Sequence, residues 1–127
     1  MIERKKLGDD RGWFMKVIDG KEEGLPAHTG EVYLTHASGK GQVRGNHYHE
    51  KAKEWFTLLQ GDAELKLMDM NTEEVITIKL SSDEPKTIVI PPGVAHAFLN
   101  TKEEPFLLLA YTDELYDPAD TIPCTLY

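Results

Sequence analysis

The sequence predicts an all-β fold that closes into a barrel or a jelly-roll sandwich. About nine short segments alternate apolar and polar side chains, and turn residues separate them at intervals of roughly eight to twelve positions. No stretch of the sequence keeps the period of roughly 3.6 residues that marks an amphipathic helix. A chain of 127 residues is long enough for one real core, so we expect a single domain over residues 1–127.

The predicted strands follow one another with short loops between them. The first covers residues 13–18, a loop rich in glycine, proline and charge follows at 21–30, and the second strand covers 31–37. A strand pair lies within residues 41–61, and Gln60-Gly61-Asp62 forms the tight turn that follows it. The later strands are expected at 63–70, 74–80, 87–90, 95–100 and 106–111, with an irregular tail from residue 113.

Composition limits the partners that this chain can have. Its 14 basic and 22 acidic residues give a net charge of −8, which argues against nucleic-acid and anionic-membrane partners because both need a basic surface. Cys124 is the only cysteine, so no intrachain disulfide forms and an intracellular protein is expected. The polar N-terminal sequence lacks a signal peptide, and no run approaches the roughly 20 apolar residues of a membrane span. We therefore expect a soluble, cytoplasmic protein.

The stretch GQVRGNHYHEKAKEWFTLLQG, residues 41–61, carries the strongest chemical signal. His47 and His49 are one residue apart, and alternate side chains of a strand point to the same face. A hairpin that returns Glu54 beside them adds a carboxylate to two imidazoles. Such a set can bind a metal ion and leave positions open for a substrate.

The spacing of this stretch resembles the first motif of the cupin superfamily. Gly41 is followed after five residues by His47, then by His49, Glu54 and Gly61 at the offsets of that motif. The run Pro91-Pro92-Gly93, with His96 and Asn100 after it, resembles the second motif. The resemblance implies a small jelly-roll β-barrel in which four side chains bind one divalent metal ion, namely His47, His49, Glu54 and His96.

Two questions about this site stay open at the level of sequence. The metal is expected to be zinc, with iron, manganese or nickel as alternatives. A metal-free polar pocket is the other interpretation, because a single histidine in a β protein, such as His96 taken alone, is most often structural. Glu54 and His96 nevertheless share their faces with Phe56 and Phe98, and ionisable groups on an apolar face need partners.

A narrower resemblance concerns the activity. GQVRGNHYH is similar to the RG-x-HY signature of dTDP-4-dehydrorhamnose 3,5-epimerases, and sugar 3,4-ketoisomerases share an RG-x-H-x-H form. Closer still is the C-terminal metal cupin domain of capsular UDP-sugar epimerase–reductases, which has the following glutamate and a Tyr-Asp-Pro ending, here Tyr116-Asp117-Pro118. This resemblance implies that His47 is the base and Tyr116 the acid. The guanidinium of Arg44 suits a bidentate contact with a diphosphate, so Arg44, together with Tyr48, is expected to bind the substrate.

Glu54 creates a conflict within that assignment. The metal-free epimerases have a lysine at this position, so the cation that stabilises their enolate is missing here. A divalent metal ion can polarise a carbonyl in its place. If His47 then binds the metal through its lone pair, it cannot also accept a proton, and His36 and Tyr116 become the candidate acid–base residues.

The leading hypothesis is a metal-binding epimerase or isomerase of a nucleotide-linked keto-deoxysugar. A metal-dependent oxygenase and a non-catalytic sugar-binding module are the alternatives. Both faces of the central strands are apolar, since Trp55, Leu59 and Leu99 alternate with inward-facing residues. We therefore expect a homodimer.

Overall fold

The structure, a computed structural model, describes residues 1–18 and 30–127. The loop predicted at 21–30 lies outside the described residues except for Gly30. Over the described ranges the chain forms twelve β-strands and one short 3-10 helix at Pro118–Asp120. The strands are β1 (Ile2–Glu3), β2 (Lys6–Asp9), β3 (Gly12–Met15), β4 (Val32–Ala37), β5 (Val43–Tyr48), β6 (Glu54–Gln60), β7 (Asp62–Asp69), β8 (Val75–Ser81), β9 (Lys86–Ile90), β10 (Val94–Asn100), β11 (Phe106–Thr112) and β12 (Ile122–Pro123).

Two five-stranded antiparallel sheets face each other, and these confirm the all-β prediction. The first has the order β1-β9-β6-β11-β4, and the second has the order β12-β5-β10-β7-β8. Side chains from the inner faces of both sheets form one core, as expected for a β-sandwich. Its largest fully buried members are Phe98, Phe106, Leu65, Ile90 and Leu108.

The register of β4 decides which of its side chains face the interior. Tyr33, Thr35 and Ala37 pair with Ala110, Leu108 and Phe106 of β11, and these three partners belong to the buried core. The alternate residues Val32, Leu34 and His36 point to the outer face and are exposed.

Two local predictions are wrong at the ends of the chain. The strand predicted at 13–18 is shorter, and it forms a separate hairpin of β2 with β3. The turn of this hairpin is held by Asp9, whose side chain accepts the backbone N–H of Arg11, and by Gly12 with φ +135°. The tail after residue 113 is not irregular throughout, because β12 pairs with β5.

No helix in the described parts of the chain is long and apolar enough to span a lipid bilayer.

Candidate metal centre and active site

Four side chains from three strands and one loop meet at one end of the interior. His47 lies on β5 and His49 just beyond it, Glu54 begins β6, and His96 lies on β10. One nitrogen or oxygen from each of the four lies within 4.8 Å of the others. Glu54 and His96 are each only 2% exposed, so the cluster combines the two sheets around a buried carboxylate.

A bulge in β5 brings His47 opposite His96. Gly45 has φ +104°, and a Cβ atom there would lie 2.7 Å from the carbonyl oxygen of His96. Asn46 has φ 59°, and the register of β5 with β10 shifts between His96 and Ala97. Only glycine permits this backbone approach at this φ. The imidazole rings of His47 and His96 consequently lie 4.8 Å apart, centroid to centroid.

The same bulge changes the direction of Arg44. In an uninterrupted strand Arg44 and His47 would point to opposite faces. Here Arg44 pairs with the core residue Phe98, and His47 pairs with His96, so both point to the inner side. Arg44 is exposed, but it lies close enough to Tyr33 for its charge to oppose the rise that burial causes in the pKa of that phenol.

Glu54 is the centre of the cluster. Its Oε1 atom lies 3.0 Å from Nε2 of His49 and 3.4 Å from Nε2 of His96. Its Oε2 atom accepts a hydrogen bond of 3.1 Å from the hydroxyl of Tyr33. Among the described residues, buried Oε1 has no hydrogen-bond partner of acceptable geometry, so one carboxylate oxygen is held while the other faces two imidazole nitrogens.

Burial and neighbouring charges lower the pKa of two of the three histidines and raise the pKa of the third. Burial lowers the pKa of His96 to about 4, although Glu54 opposes this shift. Burial, together with the charge of His49, also lowers the pKa of His47. At neutral pH both rings are therefore neutral and offer a lone pair to an electrophile.

His49 and Glu54 stabilise each other in their charged forms. Burial acts to lower the pKa of His49, but contact with Glu54 and with the Asp120 carbonyl together raise it above the ordinary value. Burial acts to raise the pKa of Glu54, but contacts with His49, His96 and Tyr33 outweigh it, and the pKa is lowered. Burial and the charge of Glu54 raise the pKa of Tyr33, so that phenol remains a donor.

Asp120 was missed at the level of sequence, where an irregular tail was expected. Its backbone oxygen lies 2.6 Å from Nδ1 of His49. Since a carbonyl oxygen only accepts hydrogen bonds, Nδ1 carries the proton in this contact. The other ring nitrogen, Nε2, is thereby directed at Glu54. Tyr33 was also missed, because the apolar alternation of its strand is strongest on the opposite face.

A cavity of about 300 Å³ opens above the cluster. His47, His49 and Glu54 lie in its wall together with the residues Glu31, Tyr33, Ala52, Thr112, Glu114, Leu115, Tyr116, Asp117, Asp120 and Thr121. Tyr116 is 69% exposed, and its backbone N–H donates to the Glu31 carboxylate. This contact fixes the segment around Tyr116, which forms part of the cavity wall, against the residue that precedes β4.

The structure does not bring every predicted site residue to this cavity. Tyr116 lies in its wall, and Arg44 is on the inner side close to Tyr33. Tyr48 alternates with His47 and pairs with Ile122 of β12, so it faces away from the cluster. His36 lies on the exposed outer face of β4, opposite Tyr33, and the structure places it apart from the four clustered residues.

The donor set fits a divalent metal ion. The geometry gathers a buried carboxylate oxygen, two neutral imidazoles, and a third imidazole whose Nε2 atom is directed inward by the carbonyl contact at its Nδ1 atom. Nitrogen and oxygen donors of this kind suit zinc, iron, nickel and manganese. A hydrogen-bonded outer contact to the distal nitrogen, as on His49, is the usual companion of a histidine ligand.

Comparison with known proteins places the chain in a family. Residues 7–122 match the family described as the polysaccharide biosynthesis C-terminal domain. The chain belongs to this family. Its relatives include the spore coat polysaccharide biosynthesis protein SpsL of Bacillus subtilis, which is 30% identical over 118 residues. That match covers 89% of this chain and 77% of SpsL.

Solved structures of similar proteins identify the fold of this polysaccharide biosynthesis domain. CapF, the capsular polysaccharide assembling protein of Staphylococcus aureus, is 26% identical with a TM-score of 0.72, over 97% of this chain and 34% of CapF. The chain thus spans about a third of that relative. The 3,4-ketoisomerase QdtA of Thermoanaerobacterium thermosaccharolyticum is 26% identical with a TM-score of 0.78, over 95% of this chain and 83% of QdtA.

The dTDP-4-dehydrorhamnose 3,5-epimerase of Bacillus anthracis shares the fold alone, at 20% identity and a TM-score of 0.83, over 95% of this chain and 75% of the epimerase. The predicted cupin jelly-roll fold is confirmed. The predicted resemblance to sugar epimerase and ketoisomerase cupins, and to the capsular epimerase–reductases, is confirmed with it.

Proposed function

We propose that this chain is a metal-binding cupin enzyme that epimerises or isomerises a nucleotide-linked keto-deoxysugar by moving a proton next to its ketone. The observation that carries the proposal is the buried Glu54, whose Oε1 atom lies 3.0 Å and 3.4 Å from two imidazole nitrogens beneath the cavity. Such a carboxylate is costly to bury unless a cation or a proton is shared with it.

His47, His49, Glu54 and His96 would hold the metal ion, with zinc as the first candidate. The bound ion would act as a Lewis acid that polarises the sugar carbonyl. His47 is assigned as a ligand rather than as the base, because its ring lies within 5.0 Å of the rings of both other histidines. A lone pair given to a metal ion is not available to a substrate proton.

Tyr116 is the proposed acid–base residue, because it lies in the wall of the cavity in which we place the sugar. The backbone contact with Glu31 holds the segment that carries it. His36, the other candidate from the sequence, is on the far face of β4, and the proposal gives it no role. Proton transfer by a positioned side chain contributes roughly 100- to 10,000-fold to a rate.

The charges in the cavity suggest how a nucleotide sugar would be oriented. Glu31, Glu114 and Asp117 lie in its wall and no lysine or arginine of the described residues does, so a diphosphate would be repelled there. Arg44 lies on the inner side beyond Tyr33 and suits a bidentate diphosphate contact. We therefore place the sugar in the cavity and the diphosphate outside it, near Arg44.

Two relatives support a keto-sugar substrate and a metal. QdtA is described in complex with TDP-4-keto-6-deoxyglucose, which is a nucleotide-linked ketone. CapF is described with the inhibitor 3-isopropenyl-tropolone, and a tropolone presents two adjacent oxygens to a cation. We also propose a homodimer, because Trp13, Phe14, Val32 and Leu34 leave large apolar surfaces exposed.

To test the proposal, the metal-loaded protein is incubated with 4-keto-6-deoxy sugar nucleotides in deuterated water, and loss of the sugar's proton signals is followed by NMR. We expect deuterium next to the ketone, no exchange with Tyr116→Phe, and normal exchange with the matched control His36→Ala. Absence of deuterium uptake for every sugar tested contradicts the proposal. Oxygen consumption by an iron-loaded protein would favour an oxygenase, and recovery of an unaltered bound sugar without exchange would favour a binding module.

A further inference from the structure

Asp120 caps the loop that joins the two ligand-bearing strands. Its carboxylate accepts the backbone N–H of Glu50 at 2.8 Å, that of Lys51 at 3.2 Å and that of Ala52 at 3.3 Å. Asp120 is 8% exposed although it lies in the tail. Three successive N–H groups aimed at one carboxylate define the path of the chain between His49 and Glu54.

The backbone of the same residue holds His49 itself. The carbonyl oxygen of Asp120 lies 2.6 Å from Nδ1 of His49, within hydrogen-bond distance. This hydrogen bond selects the neutral tautomer with the proton on Nδ1, in which Nε2 keeps its lone pair and faces Glu54. It also fixes the plane of the ring, because a hydrogen bond to one nitrogen restricts rotation about the Cβ–Cγ bond.

The segment around Asp120 is anchored on both sides. Asp117 begins the 3-10 helix by accepting the N–H of Ala119. After the helix, Pro123 pairs with His47 in the register of β12 with β5, and the N–H of Cys124 donates to the carbonyl of Asn46 at 2.9 Å. The tail therefore follows the end of β5 that carries the two histidines.

We propose that Asp120 is a positioning residue that sets the cation affinity of the site, by fixing the tautomer of His49 through its backbone and the 50–52 loop through its carboxylate. This inference rests on the metal site of the proposed function. A cluster of four donors from separate elements binds tightly only when the elements are held before the ion arrives. The contacts of Asp120 hold two of the four donors in place before an ion binds. They fix His49 directly, and they fix the loop that leads into Glu54.

The first experiment compares zinc affinity, by competition with a chromogenic chelator, for the full chain and two variants. Asp120→Asn keeps the shape but directs an N–H₂ group at one of the loop N–H groups. Asp69→Asn is the matched control, because Asp69 also accepts backbone N–H groups, those of Asn71 and Thr72, in a turn outside the site. We expect zinc to bind about 10- to 100-fold more weakly to Asp120→Asn and unchanged to Asp69→Asn.

The second experiment reads the tautomer of His49 by nitrogen-15 NMR of the imidazole rings in the metal-free wild-type protein at alkaline pH. The proton is expected on Nδ1 in the wild type, and it should stay there in Asp120→Asn, because the substitution changes the carboxylate and leaves the backbone carbonyl in place. A wild-type ring protonated on Nε2 overturns the inference, and this holds even if Asp120→Asn does not fold. Equal zinc affinity of wild type and Asp120→Asn overturns it as well.

The two experiments separate this inference from the proposed function. If wild-type protein binds no divalent ion, the metal-dependent function fails, while an Nδ1–H tautomer in the wild type still supports the positioning of His49 by Asp120. If wild type binds zinc tightly and Asp120→Asn binds it equally well, the metal site stands and the role of Asp120 is refuted.

Discussion

Gly45→Ala is expected to separate β5 from β10 and thereby to damage the metal site without touching a ligand. The new Cβ atom would lie 2.7 Å from the carbonyl oxygen of His96 and 3.3 Å from the Cα atom of Ala97. Both contacts are with backbone, which cannot rotate away. The strands must therefore move apart at the point where His47 faces His96.

The magnitude has two parts that a matched control separates. An alanine at φ +104° costs about 1–3 kcal/mol of backbone strain, and overpacking against backbone adds about 1–3 kcal/mol. Gly41 has φ +87°, and a Cβ atom added there would meet nothing within 4 Å, so Gly41→Ala carries the strain alone. We expect Gly45→Ala to lower the free energy of unfolding by about 1–3 kcal/mol more than Gly41→Ala.

Urea denaturation of the metal-free proteins measures this difference, and zinc titration measures its effect on the site. Zinc affinity should fall at least about 10-fold in Gly45→Ala, equivalent to roughly 1.4 kcal/mol, and stay at the wild-type value in Gly41→Ala. Equal unfolding free energies for the two variants, with unchanged zinc affinity in both, would refute the idea that the glycine sets the His47–His96 approach.

Four further outcomes are expected. Tyr33→Phe removes the hydrogen bond to Glu54 Oε2 and should lower the unfolding free energy by about 1.5 kcal/mol in urea denaturation; a loss below the experimental error would show that this bond contributes nothing. Tyr116→Phe should abolish deuterium exchange while leaving zinc affinity unchanged, because Tyr116 is exposed and is not one of the four clustered donors. Zinc affinity should fall as pH decreases through the raised pKa of His49, since the protonated ring cannot bind metal. In the metal-free protein the His49–Glu54 contribution to stability has the opposite trend: it is complete below the unfolded pKa of about 6.5 and is lost as pH rises through the higher folded pKa. His47 and His96, whose pKa values are lowered, contribute in the other direction, so the His49 term is read from the stability difference between wild type and His49→Ala. Calorimetric titration of zinc checks the first sign and denaturation of this pair across the range checks the second; a difference that grows as pH rises there contradicts the assignment.

The fold and the cluster of four side chains could be predicted because their signals are local or fixed in spacing. Alternation of apolar residues indicated most strands, and the histidine, glutamate and glycine offsets predicted that His47, His49, Glu54 and His96 would meet. The structure places these four together. The backbone geometry required by Gly45 was not predicted, because a bulge depends on the neighbouring strand.

The parts that the sequence could not predict depend on distant contacts. The tail has prolines and acids that suggest a loop, yet Asp120 is ordered by N–H groups roughly seventy residues away in sequence. Tyr33 and His36 lie on the same short strand, and apolar residues flank both faces, so alternation alone did not show which face was inward. The register in which β4 pairs with β11 places Tyr33 on the inner face and His36 on the outer face.

The most direct test of the central claim is the metal content of the purified protein after stripping and reloading with zinc, measured by mass spectrometry of the element against protein concentration. The account predicts one zinc ion per chain in wild type and in His36→Ala, and almost none in His49→Ala and Glu54→Gln. Wild-type protein that retains no zinc, or a Glu54→Gln variant that retains a full ion per chain, would contradict it.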